Sequence, residues 1–401
     1  MRVLLSTIGS RGDVQPVLAL ACRLAALGRE VRVCAPPDFR AWVEDQGIPF
    51  VPLGPRVRPT AKAGPPVAPS PEMMRRIAEA TVATQFEVLP AAAEGCDVVI
   101  AAGALQIALR SIAELRGIRY HYAAYCPISL PSPHHAPPAW RGEGPNADAE
   151  DNTELWARDA RRWRDSWGVA LDAHRTALGL PPVPDVRGHI VTDRPWLAAD
   201  PVLAPWPGAA DLDVVPTGAW LLPDGRPLPP EVEAFLDAGE PPVYFGFGSI
   251  RTPSGLGEAM LHAARAHGRR AIVSRGWADL VAPEDPDCLS LGEVNHPALF
   301  RRVAAVVHHG GAGTTTAATR AGAPQVVVPQ HYDQHYFARR VHDLGLGAAH
   351  PAIPPTADSL SEALAHALAP RTAATAERVA GTIRGDGTDV AARLLDAADR
   401  G

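Results

Sequence analysis

The amino-acid sequence predicts an α/β protein made of two doubly wound domains, each a parallel sheet with helices on both faces. Short apolar runs alternate with helical segments from residue 2 to residue 125, and a second alternating series runs from residue 243 to residue 350. Such alternation is typical of parallel sheets that are covered on both sides. A Pro- and Gly-rich stretch over residues 201–230 separates the two series. The 401 residues also exceed the ~150 of an average domain.

The first series predicts five strands with helices between them. After the first strand, apolar residues recur at helical spacing from Val14 until Gly28, where the helix should end. The strands are predicted at residues 2–6, 30–35, 49–53, 97–101 and 119–125. The later helices are predicted at residues 39–46, within 71–94 and at 105–116.

The second series predicts six strands, and helices separate most of them. The strands are predicted at residues 243–246, 270–274, 288–291, 304–308, 325–328 and 347–350. The clearest helices are those at 257–267 and 334–344.

Composition narrows the class of protein. Apolar residues make up 46% and charged residues 20%, which is the balance of a soluble globular protein. The net charge of -6 makes a nucleic-acid partner unfavourable. No signal peptide or membrane helix is predicted, since the longest apolar stretch, residues 98–105, falls far short of roughly 20 residues. We therefore expect a cytoplasmic protein. The five cysteines lack CxxC spacing, so we expect buried free thiols.

The strongest motif is a glycine-rich loop, which runs from His308 to Thr315 between a predicted strand and a predicted helix. In open parallel sheets, ligands bind beyond the carboxyl ends of strands, next to helix N-termini. Three glycines in this loop let the backbone approach a ligand closely, and the helix offers free N–H groups. The loop predicts an anion site that suits a diphosphate; the alternative is a tight turn without a ligand.

A second loop, Gly9-Ser10-Arg11-Gly12-Asp13, follows the first strand. Asp13 is a candidate general base or a capping residue for the next helix, and spacing alone favours the cap. The loop lacks the G-x-G-x-x-G order, which disfavours a nicotinamide site.

Two further loops carry weaker signals. Ser249 follows a glycine-lined strand end and suits a phosphate contact or a simple turn. Asp333 and Gln334 follow another strand, where Asp333 could bind a ligand or cap the next helix. His331 and His335 have i, i+4 spacing, but the sequence has no H-E-x-x-H and no suitable carboxylate cluster. No metal site is therefore predicted, and the absence of G-x-S-x-G disfavours a serine hydrolase of that kind.

These motifs resemble those of family 1 glycosyltransferases of the GT-B fold, and most closely those that act on vancomycin-type glycopeptide antibiotics. The glycine-rich loop marks the wider superfamily, and segments that contain tryptophan point to the antibiotic branch. The resemblance runs nearly end to end and is carried by Gly9–Asp13, Cys126-Pro127, Pro131-Ser132-Pro133, Trp196–Pro201, Thr217–Trp220, Ser274–Leu280, Gly292–His296 and His308–Thr315.

The resemblance implies an N-terminal acceptor domain (residues 1–205), a linker (206–230) and a C-terminal nucleotide-sugar domain (231–379). A final helix within 380–401 would return to the first domain. Asp13 would be the general base, with Asp333 as the second catalytic residue; Asp333 and Gln334 would hold sugar hydroxyls. The remaining donor-binding residues would be Ser10, Arg11, Ser249, His309, Gly311, Gly313 and Thr314 around the diphosphate, and Arg275, Trp277 and Val294 around the base and ribose.

The implied reaction is an inverting, metal-independent transfer of a sugar, with glucose from UDP-glucose favoured, to a phenolic hydroxyl of a glycopeptide aglycone. The protein would be a monomer that needs no cofactor beyond its UDP- or dTDP-linked co-substrate. Pro-rich loops at residues 54–71 and 127–145 would grip the acceptor, or would serve only as spacers. The alternatives are a dTDP-deoxy-aminosugar transferase, a UDP-sugar epimerase of the same fold, and a non-enzymatic nucleotide-sugar-binding module.

The position of Asp13 also suggests how strong a base it is. If the helix begins near Val14, its dipole favours the ionised carboxylate and makes Asp13 a weak base. A weak base suits an acidic hydroxyl, so we expect phenolic acceptors to be preferred over alcohols.

Overall fold

The N-terminal half forms a seven-stranded parallel sheet. We describe a computed structural model that covers residues 1–61, 70–138, 151–208, 211–249, 256–351 and 354–398. The strands of this sheet are β1 (Arg2–Thr7), β2 (Glu30–Ala35), β3 (Phe50–Pro52), β4 (Val98–Ala102), β5 (Arg119–Ala124), β6 (Trp196–Leu197) and β7 (Val215–Pro216). Their spatial order is β3-β2-β1-β4-β5-β6-β7.

The C-terminal half forms a six-stranded parallel sheet in the order β10-β9-β8-β11-β12-β13. Its strands are β8 (Val243–Gly246), β9 (Ala271–Ser274), β10 (Cys288–Leu291), β11 (Ala305–His308), β12 (Gln325–Val327) and β13 (Gly347–Ala349). Both sheets reverse their strand order beside the first strand of the half, β1 or β8, so each has a switch point where a ligand crevice opens. The predicted pair of doubly wound sheets is confirmed.

Helices cover both faces of the two sheets. Those of the N-terminal half are α1 (Arg11–Ala26), α2 (Arg40–Glu44), α3 (Pro71–Ala92), α4 (Leu109–Arg116), α5 (Asn152–Ala177) and α6 (Val186–Val191). The others are α7 (Pro230–Asp237), α8 (Leu256–Arg265), α9 (His296–Phe300), α10 (Ala312–Arg320), α11 (Gln334–Asp343), α12 (Ala357–Ala367), α13 (Pro370–Ala380) and α14 (Gly387–Ala398). Short 3-10 turns lie at Pro37–Phe39, Arg58–Ala61 and Pro127–Ser129.

Strand β1 shows why these apolar runs become central strands. Its residues alternate between two cores: Val3 and Leu5 pack with Val14 and other residues of α1, whereas Leu4 packs in the cluster on the other face. A strand buried on both faces needs a continuous apolar run rather than an alternating one. The run ends at Thr7, where the sheet meets the crevice.

Several parts of the chain differ from the sequence prediction, most clearly helix α5 and the strands β6 and β7, none of which was predicted. The helix α5 has 26 residues, and the sequence does not predict it because polar and charged residues outnumber apolar ones there. Strand β7 lies inside the predicted linker yet pairs with β6, so the N-terminal sheet extends into that segment. Strands of two residues have too little sequence for a period-2 pattern.

The last helix, α14, packs on α1 of the N-terminal half. Ala391, Ala392 and Leu395 are buried in the same core as α1. Two ion pairs flank this contact, Arg23–Asp389 and Arg29–Asp396. Helix α13, in contrast, packs on α10, so we propose that the chain crosses back between α13 and α14.

The two halves also make contact just after β6, in a segment without regular secondary structure. Arg340 of α11 donates to the carbonyl oxygens of Val202 and Leu203 at 2.8 and 3.0 Å. Asp200 accepts from the backbone N–H of Arg384 at 2.9 Å. These contacts fix the C-terminal half beside the carboxyl edge of the N-terminal sheet.

The cysteines are all free, as predicted, but only Cys34 and Cys126 are fully buried. Within the residues that the structure describes, we find no helix whose length and apolar character would let it cross a membrane.

Candidate active site

The crevices of the two sheets face each other, and Arg11, the first residue of α1, connects them. Arg11 forms an ion pair with Glu293 of the C-terminal half at 2.7 Å, and its guanidinium lies 4.7 Å from the centre of the Trp42 ring. Nearby, Trp277 packs against Phe39, with 5.8 Å between the ring centres. Arg11, predicted to bind the donor, is thus held in a contact between the two halves.

Asp13 takes part in capping α1, but not as its first residue. The helix begins at Arg11, three residues before the predicted start, and Ser10 is the N-cap. Oδ2 of Asp13 accepts from the backbone N–H of Ser10 at 2.8 Å and from its hydroxyl at 3.4 Å. A side chain at Gly9 would collide with this carboxylate. The cap therefore occupies Oδ2 and leaves Oδ1 on the side of Gly103, where a Cβ atom would lie 3.4 Å away.

The expectation that Asp13 is a weak base is wrong. Burial raises the pKa of Asp13 to about 6, and this effect outweighs the opposing hydrogen bonds from Ser10. The helix dipole acts in the same direction as those bonds, but loss of hydration is the larger contribution for a carboxylate in an enclosed site. Asp13 is therefore poised to accept a proton near neutral pH. A base with a pKa of about 6 still lies closer to a phenol, with a pKa of about 10, than to a far less acidic aliphatic alcohol, so the preference for phenolic acceptors stays a prediction.

Asp333 lies across the crevice from Asp13. It occupies the N-cap position of α11, yet its side chain makes no capping hydrogen bond. Burial raises the pKa of Asp333 to about 7, with a further contribution from the negative charge of Asp13. The two carboxyl groups, one from each half, are thus electrostatically coupled.

Removing the Asp333 charge should stabilise the fold at alkaline pH. A carboxyl group whose pKa is raised in the folded state binds its proton more tightly there, so it destabilises the protein as pH rises from about 4 to above 7. A rise of the Asp333 pKa from 3.8 to about 7 corresponds to about 4 kcal/mol. Because Asp333 is only half-buried, solvent screens part of this effect, and we expect Asp333→Asn to raise the free energy of unfolding by about 1–2 kcal/mol at pH 8 and to have little effect at pH 4. Denaturant unfolding at both pH values measures this, with Asp343→Asn, an exposed acid of the same helix, as the control. Equal stability of Asp333→Asn and native protein at pH 8 would contradict it.

The glycine-rich loop joins β11 to the N-terminus of α10, whose N-cap is Gly311. Burial lowers the pKa of His309 to about 4, and His331 adds to the effect, so the imidazole is neutral. Its Nδ1 is buried without a hydrogen-bond partner. Gly311 and Gly248 leave room for the ring, since a Cβ atom on either would lie 2.6–3.1 Å from it. The loop after β8 therefore meets the loop after β11 at His309.

The neighbouring His308 is a structural residue. It is fully buried, and burial lowers its pKa to about 3. Its Nδ1 accepts from the N–H of Gly310 at 3.1 Å, and its Nε2 lies 2.9 Å from Oε1 of Gln325. The amide of Gln325 in turn donates to Thr319 at 2.9 Å. This chain of hydrogen bonds fixes the glycine-rich loop on its buried side.

The other predicted donor residues lie around the same loops. Ser10, Ser249 and Thr314 are half-buried, and Gly313 is exposed in the first turn of α10. Gln334 is buried, and its Oε1 accepts from the N–H groups of Gln330 and His331 at 2.8 and 3.3 Å. The Gln334 side chain thus shapes the loop that carries Asp333.

The residues predicted to line the pocket for the nucleotide base and ribose differ in how exposed their side chains are. Arg275 is exposed and its guanidinium lies over Gly292, and Trp277 is half-buried. Val294 packs its side chain into the core with Leu291, so its backbone would have to make any ligand contact.

Comparisons with known proteins identify the family. Residues 3–129 match the family described as "Glycosyltransferase family 28 N-terminal domain", and residues 286–394 match "Erythromycin biosynthesis protein CIII-like, C-terminal domain". The chain is 56% identical to "Glycosyltransferase GtfE" of Amycolatopsis orientalis, over 99% of this chain and 98% of that protein. It is 55% identical to "Vancomycin aglycone glucosyltransferase" of the same organism, over 100% and 98%. The chain belongs to the vancomycin-group glycosyltransferases.

Solved structures of more distant glycosyltransferases share the GT-B fold. The kitacinnamycin glycotransferase matches with a TM-score of 0.74 at 21% identity, over 99% of this chain and 98% of that one. VinC, solved with dTDP, matches with a TM-score of 0.69 at 21% identity over the whole of both chains.

Gln106 is a buried polar residue of this glycosyltransferase that the sequence prediction did not single out. It follows the carboxyl end of β4 and is fully buried, and both its amide nitrogen and its amide oxygen lack hydrogen-bond partners. An unpaired buried amide is costly and rare. The signal in the sequence was its place shortly after an apolar strand, on the side of a parallel sheet where ligands bind.

Proposed function

We propose that the enzyme transfers a sugar from a nucleotide donor to a phenolic hydroxyl of a glycopeptide antibiotic aglycone, with inversion and without a metal. The observation that carries this proposal is the pair formed by Asp13 and Asp333, one from each half. Asp13 provides a base near neutral pH, and the glycine-rich loop with His309 lies on the donor side.

The reaction we propose is a single displacement. Oδ1 of Asp13 takes the proton of the acceptor hydroxyl, and the acceptor oxygen forms a bond to the anomeric carbon. The bond from that carbon to the diphosphate breaks, and its electron pair leaves with the diphosphate. Backbone N–H groups at the start of α10 and the imidazole of His309 stabilise this charge. Attack opposite the leaving group inverts the anomeric centre.

Glucose from UDP-glucose is the donor we favour, because a vancomycin aglycone glucosyltransferase is 55% identical over the full chain. A dTDP-linked aminosugar is the second candidate, because "dTDP-epi-vancosaminyltransferase" of Amycolatopsis orientalis is 46% identical over 94% of this chain and 93% of that protein.

The proposed acceptor loops at residues 54–71 and 127–145 extend into 62–69 and 139–145, which lie outside the described residues.

The test is mass spectrometry of glycopeptide aglycones incubated with the enzyme and a panel of UDP- and dTDP-sugars. We expect a mass increase of one hexose with UDP-glucose, and NMR of the product should show an inverted anomeric linkage at a phenolic oxygen. An aminosugar adduct formed only from a dTDP donor would favour the second candidate. No adduct with any donor would contradict both.

Transfer should persist in excess EDTA. In the described part of the chain, no group of three or more His, Cys, Asp or Glu side chains could hold a metal ion. The helix N-terminus and His309 offer an alternative way to stabilise the leaving diphosphate. Weak stimulation by magnesium is compatible with this prediction, but complete loss of turnover that metal restores is not.

A further inference from the structure

Thr7, the last residue of β1, carries a polar group that the proposed mechanism leaves unused. Its side chain is fully buried, and its Oγ1 has no hydrogen-bond partner. Because residues alternate along a strand, Thr7 lies on the same face of the sheet as Val3 and Leu5, the face that α1 covers. Asp13 belongs to the first turn of that helix.

Gly103, which follows β4, shows how close Thr7 and Asp13 come. A Cβ atom on Gly103 would lie 3.4 Å from Oδ1 of Asp13 and 3.7 Å from Oγ1 of Thr7. The two oxygens therefore border one small space, which stays open because residue 103 is glycine with φ of +78°. Oδ2 already accepts from Ser10, so Oδ1 is the carboxylate oxygen left for a hydrogen bond from Thr7.

We propose that Thr7 is a positioning residue for Asp13, and that its hydroxyl donates a hydrogen bond to Oδ1 when the carboxylate is ionised. A carboxylate oxygen has more than one lone-pair site, so Oδ1 can accept from Thr7 and still take the acceptor proton. The bond would fix the direction of the carboxylate and favour its charged form. This inference rests on the proposed role of Asp13 as the base.

Other titratable and charged groups near Asp13 could also change its pKa. Tyr122 of β5 and Tyr125 lie close by, and the Tyr125 hydroxyl donates to the backbone carbonyl of Asp13 at 3.0 Å. Burial raises the pKa of both tyrosines, so both stay neutral. Asp333 faces Asp13 from the C-terminal half, and Arg11 of the same helix turn is paired with Glu293.

The test is a carboxyl carbon-13 NMR titration of the full-length protein, with the Asp13 signal assigned by its absence in Asp13→Asn. We expect Thr7→Val to raise the pKa of Asp13 by about 1 unit, because one donor to the charged form is lost. Thr7→Ser, which keeps the hydroxyl, should restore the native titration. Ser6→Ala is the matched control: Ser6 is also buried with an unpartnered hydroxyl but points to the opposite face of β1.

The expected kinetic counterpart is an acidic limb of the pH–rate profile that moves to higher pH in Thr7→Val and not in Ser6→Ala. Well below the Asp13 pKa of about 6, where the carboxyl group is protonated and the proposed bond is not made, Thr7→Val replaces an unpaired buried hydroxyl, so its unfolding midpoint should equal or exceed that of the native protein. An unchanged Asp13 titration in a folded Thr7→Val protein would overturn the proposal, as would an equal shift in Ser6→Ala. The titration needs no turnover, so its result stands even if no acceptor is glycosylated.

Discussion

Asp13→Asn is expected to lower the turnover number by about 10²- to 10⁴-fold, the usual range for a positioned general base. Asparagine keeps a side-chain oxygen that can accept from the Ser10 N–H, so the cap of α1 should survive while the base is lost. Donor affinity should stay near the native value because Asp13 lies on the acceptor side. Turnover with saturating acceptor, together with the dissociation constant for the nucleotide, separates the two effects.

The pH dependence gives a second measure of the same residue. Because the pKa of Asp13 is about 6, native activity should fall as pH drops below that value and the base becomes protonated. For a phenolic acceptor, the deficit of Asp13→Asn should shrink as pH rises toward the phenol pKa of about 10, since the acceptor then ionises unaided. With an aliphatic alcohol as acceptor, the deficit should stay constant with pH.

A capping acid outside the crevice provides the control. Asp185 caps α6 and accepts from the N–H of Gly188 at 3.0 Å, much as Asp13 accepts from Ser10. Asp185→Asn should leave turnover unchanged. Near-native turnover of Asp13→Asn at neutral pH would reduce Asp13 to the capping role that sequence spacing alone favours.

Most of the parallel strands were predictable from sequence because both faces of each sheet are buried, and such strands appear as continuous apolar runs. The exceptions are β6 and β7, which have two residues each. The six strands of the C-terminal sheet lie within one residue of their predicted bounds. Helix α5 was not predictable in this way. Only a few of its residues are buried, among them Leu155, Trp156 and Leu171, and most of the rest are polar. Its helical period is carried by a narrow apolar stripe within a charged segment.

The chemistry of the site was less predictable than its location. The sequence places Asp13 after a strand, but its raised pKa depends on burial created by chain that lies far away in sequence. The pair His308 and His309 makes the same point, because the two look equivalent in the motif. One is held by Gln325 and Gly310, and the other has an unpaired ring nitrogen in the crevice.

His309→Ala is expected to weaken binding of the nucleotide diphosphate by about 10- to 150-fold, which corresponds to about 1.5–3 kcal/mol for a hydrogen bond to a charged group. The imidazole is neutral, so it acts as a donor through one ring N–H while the phosphate supplies the charge. Stability should fall less than in His308→Ala, since any bond from the His309 ring to the Gly246 backbone is weaker than the two bonds that hold His308. Titration calorimetry with UDP and dTDP measures the affinity, and His309→Gln should recover part of it.

His308→Ala should show the opposite pattern, which makes the two adjacent histidines each other's control. Its loss leaves the Gly310 N–H and the Gln325 oxygen unpaired in the core and opens a cavity, a combination that costs about 3 kcal/mol or more of unfolding free energy. Any loss of nucleotide affinity in His308→Ala should therefore accompany a lower unfolding midpoint, because the loop has lost its support from behind. Unchanged nucleotide affinity and turnover in a folded His309→Ala protein would contradict a diphosphate site at this loop, whatever His308→Ala does.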